Sequence, residues 1–171
     1  MKKLLIIAGQ EGVGKSTLTK ALLPELENGA AFDAENILQV NPFVFGPEFK
    51  DLAIANSMAL VYNFFEHGYE RVVAASFING QDGYERLKPK LKHNPKILVL
   101  QLTASQEVRD KRRIEREKPT TKEWRDIVDA VREKPFDKED PGYTYAEIDN
   151  SELTVDETVV MIKERMVDFF E

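Results

Sequence analysis

The sequence predicts one α/β domain, a parallel sheet with helices on both faces. Three observations predict it. Two uninterrupted apolar runs, residues 4–8 and 97–100, have the character of strands buried on both faces. Such runs alternate with segments whose apolar residues recur at helical spacing, the pattern of parallel strands joined by crossover helices. A glycine-rich turn joins the first run to the first helical segment.

The elements follow in order. Residues 4–8 form the first strand. The next helix starts near Lys15 and carries Leu18, Leu22 and Leu26 on one face. Residues 30–33 are a short second strand. A long helix spans 47–67, with Ile54, Met58, Val61 and Phe65 on one stripe and Gly68 as its stop. The third strand covers 71–77 and the fourth 96–102, followed by a polar, arginine-rich helix to about Glu117. Two capping boxes start further helices, Thr120 with Glu123 and Thr154 with Glu157. The first of these helices carries Trp124, Ile127, Val128 and Val131. The second carries Val155, Val159, Ile162, Met166 and Phe169. Residues 145–148 are a weak fifth strand. Residues 133–142 are charged, hold two prolines and read as mobile.

Composition narrows the function. The 171 residues suit a single domain with a real core. There is no cysteine, which excludes disulfides, thiolate metal sites and a cysteine nucleophile. A net charge of −6 disfavours broad binding to nucleic acid or to a membrane surface. The apolar run after Lys2-Lys3 is too short for a signal peptide, and none approaches the roughly 20 residues of a membrane span. A cytoplasmic protein is expected, as monomer or dimer.

The turn carries the strongest signal. Gly9-Gln10-Glu11-Gly12-Val13-Gly14-Lys15-Ser16 fits G-x-x-x-x-G-K-[ST] at every fixed position, between a buried strand and an amphipathic helix. The pattern predicts binding of a nucleoside triphosphate, ATP with Mg²⁺. The backbone amides around Gly12, Val13 and Gly14 would cradle the phosphates at a helix N-terminus. Lys15 would reach the β- and γ-phosphates, Ser16 would ligate Mg²⁺, and Thr17 would touch the α-phosphate. No N-K-x-D motif for reading guanine is present. The third strand ends in Ala74-Ala75-Ser76 without the acid expected of motor-type ATPases.

Three further features stand out. Asp33 falls at the end of the second strand, with Glu35 two residues on. The stretch Arg109-Asp110-Lys111-Arg112-Arg113-Ile114-Glu115-Arg116 carries a local charge of +3, with Arg112 and Arg116 on one helix face. Asp149-Asn150-Ser151 lies between the fifth strand and the last helix.

In the order of these parts the chain resembles the small phosphate-loop kinases: shikimate and gluconate kinases, chloramphenicol phosphotransferase, the polynucleotide 5′-kinase domain and the zeta-toxin group. The resemblance implies strand order 2-3-1-4-5 and a lid over residues 109–140. It implies an ATP-dependent phosphotransferase acting on a small-molecule hydroxyl. Asp33 would then orient and deprotonate the acceptor or help Ser16 hold Mg²⁺. Arg112 and Arg116, with Arg109 next, would contact the nucleotide or the transferring phosphoryl group. The loop at Asp149 would line the adenine. The chain departs from many of these enzymes in lacking the third-strand acid. Ser76 and Asn79 stand there as possible hydrogen-bond partners for an acceptor.

The acceptor is not legible. Residues 36–49 are apolar and aromatic, suited to wall an apolar acceptor or, more simply, to pack beneath the long helix. Arg86 and Lys88 are the nearest candidates for binding an anionic substrate. His67 and His93 read as surface residues, and Trp124 as a packing residue. Two alternatives stay open: a slow nucleotide-gated module that signals to a partner, and a 5′-kinase of nucleic-acid ends.

Overall fold

The computed structural model describes residues 1–116 and 120–171. Its strands are β1 (Lys3–Ala8), β2 (Gly29–Asp33), β3 (Arg71–Ala75), β4 (Lys96–Thr103) and β5 (Thr144–Asp149). They form one parallel sheet of order β2-β3-β1-β4-β5. The helices are α1 (Lys15–Leu22), α2 (Pro47–Glu66), α3 (Gln81–Leu87), α4 (Gln106–Glu115), α5 (Lys122–Ala130), α6 (Val155–Arg165) and α7 (Val167–Phe170).

The pleat of β1 builds two cores. Leu4, Ile6 and Ala8 face the layer of α2 and α3, where Ile54, Met58, Val61 and Phe65 cover them. Leu5 and Ile7 face α1, α6 and α7, against Leu18, Leu22, Ile162 and Phe169. Because every strand runs the same way, all carboxyl ends share one edge. Asp33 pairs in register with Ala75, so the ends of β2 and β3 lie beside the turn that leaves β1.

Several boundaries moved, each for a local reason. The first helix stops at Leu22, because Pro24 turns the chain into a 3₁₀ segment at Leu23–Glu25 and leaves Leu26 outside. The third strand ends at Ala75, where Ser76 adopts a left-handed conformation (φ 68). The last helix breaks at Met166 into α6 and α7, yet Met166 and Phe169 stay buried. The Thr154–Glu157 capping box is present in full. The other cap shifts by one residue. The Thr121 hydroxyl accepts from the Trp124 amide, while the Thr120 carbonyl is occupied by Arg125. The expected end of the arginine-rich helix at Glu117 lies outside the described residues. Helix α3 was not anticipated. Only Gln81, Tyr84 and Leu87 turn inward over its seven residues, too short a stripe to read as a period.

Residues 133–142 are mostly exposed but are tied to the body at a few points. Phe136 is buried, and the Gln81 side chain binds the segment at two points and the adjoining Tyr143 at a third. It donates to Asp140 (2.9 Å) and accepts from the Asp137 amide (3.0 Å) and from Tyr143 (2.8 Å). Among the described residues no helix is long and apolar enough to cross a membrane.

Candidate active site

The phosphate loop closes on backbone that only glycine permits. Gly12 has φ 91, and a Cβ there would sit 2.8 Å from the Arg109 carbonyl oxygen. The loop therefore lies directly on α4. Gly14, also left-handed at φ 96, takes the N-cap position of α1 without any side-chain cap. The amides of the first helical turn thus stay available to an anion.

The charged groups converge on this loop. Lys15 is buried and donates to the carbonyls of Gly9 (2.7 Å) and Gln10 (3.2 Å). Burial holds its pKa below the ordinary lysine value, against the pull of Glu35, Asp33 and Glu11. The Ser16 hydroxyl donates to one carboxylate oxygen of Asp33. The other oxygen accepts from the Glu35 amide at 3.0 Å, so Asp33 also caps the 3₁₀ turn that follows β2. Glu35 itself lines the cavity. Loss of water pushes its carboxyl above the usual range, with Lys15 opposing.

The cavity has a volume of about 490 Å³. The loop residues Glu11 to Leu18, Thr17 included, form its floor. Arg112 and Arg116 form one wall, and Leu153, Val155 and Thr158 offer a less polar end. Arg112 donates to the Asn150 side chain and carbonyl, both at 2.9 Å, and the Asn150 amide donates to the Val13 carbonyl at 2.8 Å. Arg116 donates to Glu11 at 2.7 Å. Both arginines are thus brought to the loop, although Arg116 lies one residue past α4 in extended backbone rather than on the helix face expected.

Arg109 touches the loop backbone but does not line the cavity. It is buried, donating to the Glu11 carbonyl (3.2 Å) and to Asp129 on α5 (2.9 Å). Arg113 is fully enclosed and holds both Asp129 oxygens, at 3.1 and 2.9 Å, with Asp110 at 2.5 Å. Burial opposes charge on Arg113, but Asp129 and Asp110 outweigh it and raise its pKa. In return Arg113, then Arg109, hold the Asp129 carboxyl well below the usual carboxylate range. The arginine helix therefore has two faces, one for the cavity and one clamped to α5.

The β3 end carries no acid, as the sequence indicated. Asn79 accepts from the Gly9 amide at 3.2 Å and so steadies the loop. The Ser76 hydroxyl oxygen is enclosed with no partner among the described residues. Within residues 36–49, Leu38 packs against the core that α2 covers and Phe49 lies on α2 itself, but the aromatic stretch between them does not enter the core. Phe43, Val44 and Phe45 stay exposed, and Phe43 meets the Phe49 ring edge-on at 5.0 Å. The Asn41–Pro42 bond is cis. Trp124, expected to pack, is 43% exposed. Arg86 is paired with Asp51 at 2.9 Å, Lys88 is exposed, and His67 and His93 lie on the surface.

Sequence reasoning missed Glu11, Asp129 and the Asn150 side chain. Glu11 occupies a position that the loop motif leaves open. Asp129 had one signal, a charged pair with Arg125 four residues apart, opposite the apolar stripe of its helix.

Comparison with known proteins bears on the fold. No protein-family model matches the chain, and no curated protein matches it in sequence. Solved structures do match. A sugar kinase from Janibacter sp. HTCC2649 superposes with TM-score 0.75 at 13% identity, over 99% of this chain and 96% of that one. The chain has the fold of the small phosphate-loop kinases. A gluconokinase from Sinorhizobium meliloti 1021 gives TM-score 0.74 at 12% identity, over 98% and 93%. The tunicamycin resistance protein of Deinococcus radiodurans gives 0.63 at 19%, over 96% and 95%. In this phosphate-loop fold, the cavity above Gly12–Ser16 is where the fold presents its helix N-terminus, and the strand order is the one the resemblance implied.

Proposed function

We propose that this protein is an ATP-dependent phosphotransferase that moves the γ-phosphate of ATP to a hydroxyl of a small-molecule acceptor. The observation that carries the reading is the contact between Ser16 and Asp33 at the foot of the phosphate loop, with Arg112 and Arg116 across the same cavity. The sugar kinase and gluconokinase that share the fold support it.

The chain's own groups divide the work. The loop amides, the open start of α1 and Lys15 bind the triphosphate. Arg116, and Arg112 beside Asn150, place positive charge along it. Arg109 acts one step back, through Asp129 and the Glu11 carbonyl. The acceptor oxygen attacks the γ-phosphorus, the bond from that phosphorus to the β,γ-bridging oxygen breaks, and ADP leaves. The hydroxyl proton passes to a carboxylate at the end of β2. Asp33 has both oxygens engaged, and Glu35 reaches into the cavity, so the two share the tasks of orienting and accepting the proton.

Ser16 and Asp33 also fit Mg²⁺. They set two hard oxygen donors side by side at the loop, and no cluster of three or more ligating side chains exists among the described residues. That is the sparse protein set Mg²⁺ takes when phosphates complete its shell. When bound, the ion neutralises charge developing between the β- and γ-phosphates.

A panel of small alcohols, sugars, nucleosides and aminoglycosides, scored by ATP consumption, tests the reading. Asp33→Asn should lower acceptor-stimulated turnover by about 10²- to 10⁴-fold while binding of an ATP analogue survives. Undiminished transfer would refute the assigned role. A second reading has one observation in its favour, Ser76 in place of a strand-end acid: a slow, nucleotide-gated module. Hydrolysis that no acceptor stimulates, joined to nucleotide-dependent partner binding, would favour it. A nucleic-acid end as acceptor predicts oligonucleotide affinity that falls steeply with salt. Use of ATP and a chain without cysteine fit a cytoplasmic setting.

A further inference from the structure

We infer that Asn150 is a positioning residue of the nucleotide site: its side-chain amide joins Arg112 to the phosphate loop and leaves the charge of that arginine uncancelled. This deepens the phosphotransferase reading and rests on its binding of nucleotide. Asn150 is buried, 4% exposed, in the turn between β5 and α6. Its backbone amide donates to the Thr103 carbonyl, at the end of β4, at 3.0 Å. The hydroxyl of the next residue, Ser151, accepts from the Ser105 amide at 2.8 Å, and Ser105 caps α4. The turn is therefore tied both to the sheet and to the start of the arginine helix.

The Asn150 side chain makes two contacts of opposite sense. The Val13 carbonyl can only accept, and Asn150 Nδ2 donates to it at 2.8 Å. The Arg112 guanidinium can only donate, and it gives one N–H to Asn150 Oδ1 and another to the Asn150 carbonyl, both at 2.9 Å. An ionised aspartate could not donate to Val13, and alanine could do neither. The first contact fixes more than a carbonyl. The Val13 carbonyl and the Gly14 amide belong to one planar trans peptide and point opposite ways, so holding the one sets the direction of the other. That amide is among those that cradle phosphate under the proposed reading.

The second contact is neutral, unlike those of the neighbouring arginines. Arg109 is paired with Asp129, Arg113 with Asp129 and Asp110, and Arg116 with Glu11. Arg112 lines the cavity, and the oxygens it meets among the described residues are those of Asn150 and, at 3.4 Å, the Val13 carbonyl. Asp149 is adjacent in sequence, but its carboxylate is engaged by the Ser151 amide and hydroxyl at 2.9 and 2.6 Å. The Ser151 hydroxyl, then its amide, hold the Asp149 carboxyl below the usual range, and Arg112 contributes least. Neutral oxygens orient a guanidinium without offsetting its charge, so Arg112 is held in place and keeps its full attraction for phosphate.

The test is titration calorimetry of the full-length protein with Mg²⁺ and a non-hydrolysable ATP analogue. Asn150→Ala should weaken binding about tenfold or more. In a chain already carrying Arg112→Ala, the same substitution should cost at least about threefold less, because the side chain it acts through is gone. Equal losses in the two backgrounds overturn the inference, since a residue that only supports the turn acts regardless of Arg112. Asn150→Asp keeps the size of the side chain and an acceptor for Arg112, so it carries the test should the alanine variant not fold. Melting curves without nucleotide check the fold of each variant. Asn150→Asp should also weaken binding about tenfold or more, because a fixed carboxylate then opposes the phosphates. Affinity equal to that of the native protein overturns the inference. A native protein that does not bind the analogue overturns both the nucleotide site and the role of Asn150. ATP consumption with the acceptor panel is scored separately on the native protein. No stimulation there refutes phosphotransfer, while the titrations still decide the role of Asn150.

Discussion

Asp129 offers the sharpest test of how the arginine helix is held. Its carboxylate accepts from Arg109 (2.9 Å), from Arg113 twice (3.1 and 2.9 Å) and from Gln106 (2.9 Å). Alanine there leaves two buried guanidinium groups short of a counter-charge. Removing one partner of a buried pair costs about 3–5 kcal/mol. Asp110 stays on Arg113 at 2.5 Å, and the Asp129 side chain is itself 19% exposed, so the lower end applies. About 3 kcal/mol, at roughly 2–4 °C per kcal/mol for a chain of this length, lowers the melting temperature by about 6–12 °C. Thermal denaturation at neutral pH measures it. The pH dependence has a definite sign. Arg113 and Arg109 depress the Asp129 pKa in the folded state, so its contribution is complete above the unfolded aspartate value of about 3.9 and is lost as pH falls below it. The gap between native protein and Asp129→Ala should be flat from about pH 5 to 8 and narrow below about pH 4. A variant melting within about 2 °C of the native protein would show that Asp129 does not secure α4.

Other outcomes follow from the same contacts. Gly12→Ala puts a Cβ 2.8 Å from the Arg109 carbonyl at φ 91. Left-handed strain alone costs about 1–2 kcal/mol, and the loop lifts from α4, so binding of an ATP analogue should disappear in a fluorescence titration. Glu11→Gln removes the negative charge that Arg116 holds at 2.7 Å across a partly exposed pair, with the buried Arg113 at 3.8 Å still held by Asp129 and Asp110. Stability should change by less than about 1 kcal/mol, while affinity for ATP rises several-fold; equal or weaker binding by calorimetry would contradict this. Thr121→Ala should lower stability by about 1 kcal/mol through loss of the α5 cap. Thr120→Ala should cost less, which chemical denaturation of the two variants would resolve.

Much of the frame was legible because it rests on local periodicity. The β1 run, the glycine loop and the spacing in α2 each state their structure within a few residues. Arg112 was legible for the same reason, whereas Arg116 falls one residue past α4, in extended backbone, and still lines the cavity. What escaped depends on distant partners. Nothing near Arg113 says that it would be enclosed, because its partner Asp129 arrives from another helix. The partner that Arg109 finds in Asp129 was hidden for the same reason. Residues 133–142 look loose by composition, yet one glutamine side chain fastens them to α3. The stretch 36–49 reads as packing by composition, and only the fold reveals that Leu38 meets the core while Phe43, Val44 and Phe45 stay exposed.

The open start of α1 has a consequence for the protein without its ligand. Gly14 gives the loop its shape but cannot cap the helix, so the first turn keeps unsatisfied amides beside a lysine whose charge is disfavoured by burial. Both deficits are remedied by the same visitor. Under the proposed reading, a triphosphate would complete the helix end and give Lys15 a further counter-charge, so nucleotide binding should add to stability. Heat resistance then becomes a gauge of occupancy, rising with the logarithm of nucleotide concentration above its dissociation constant.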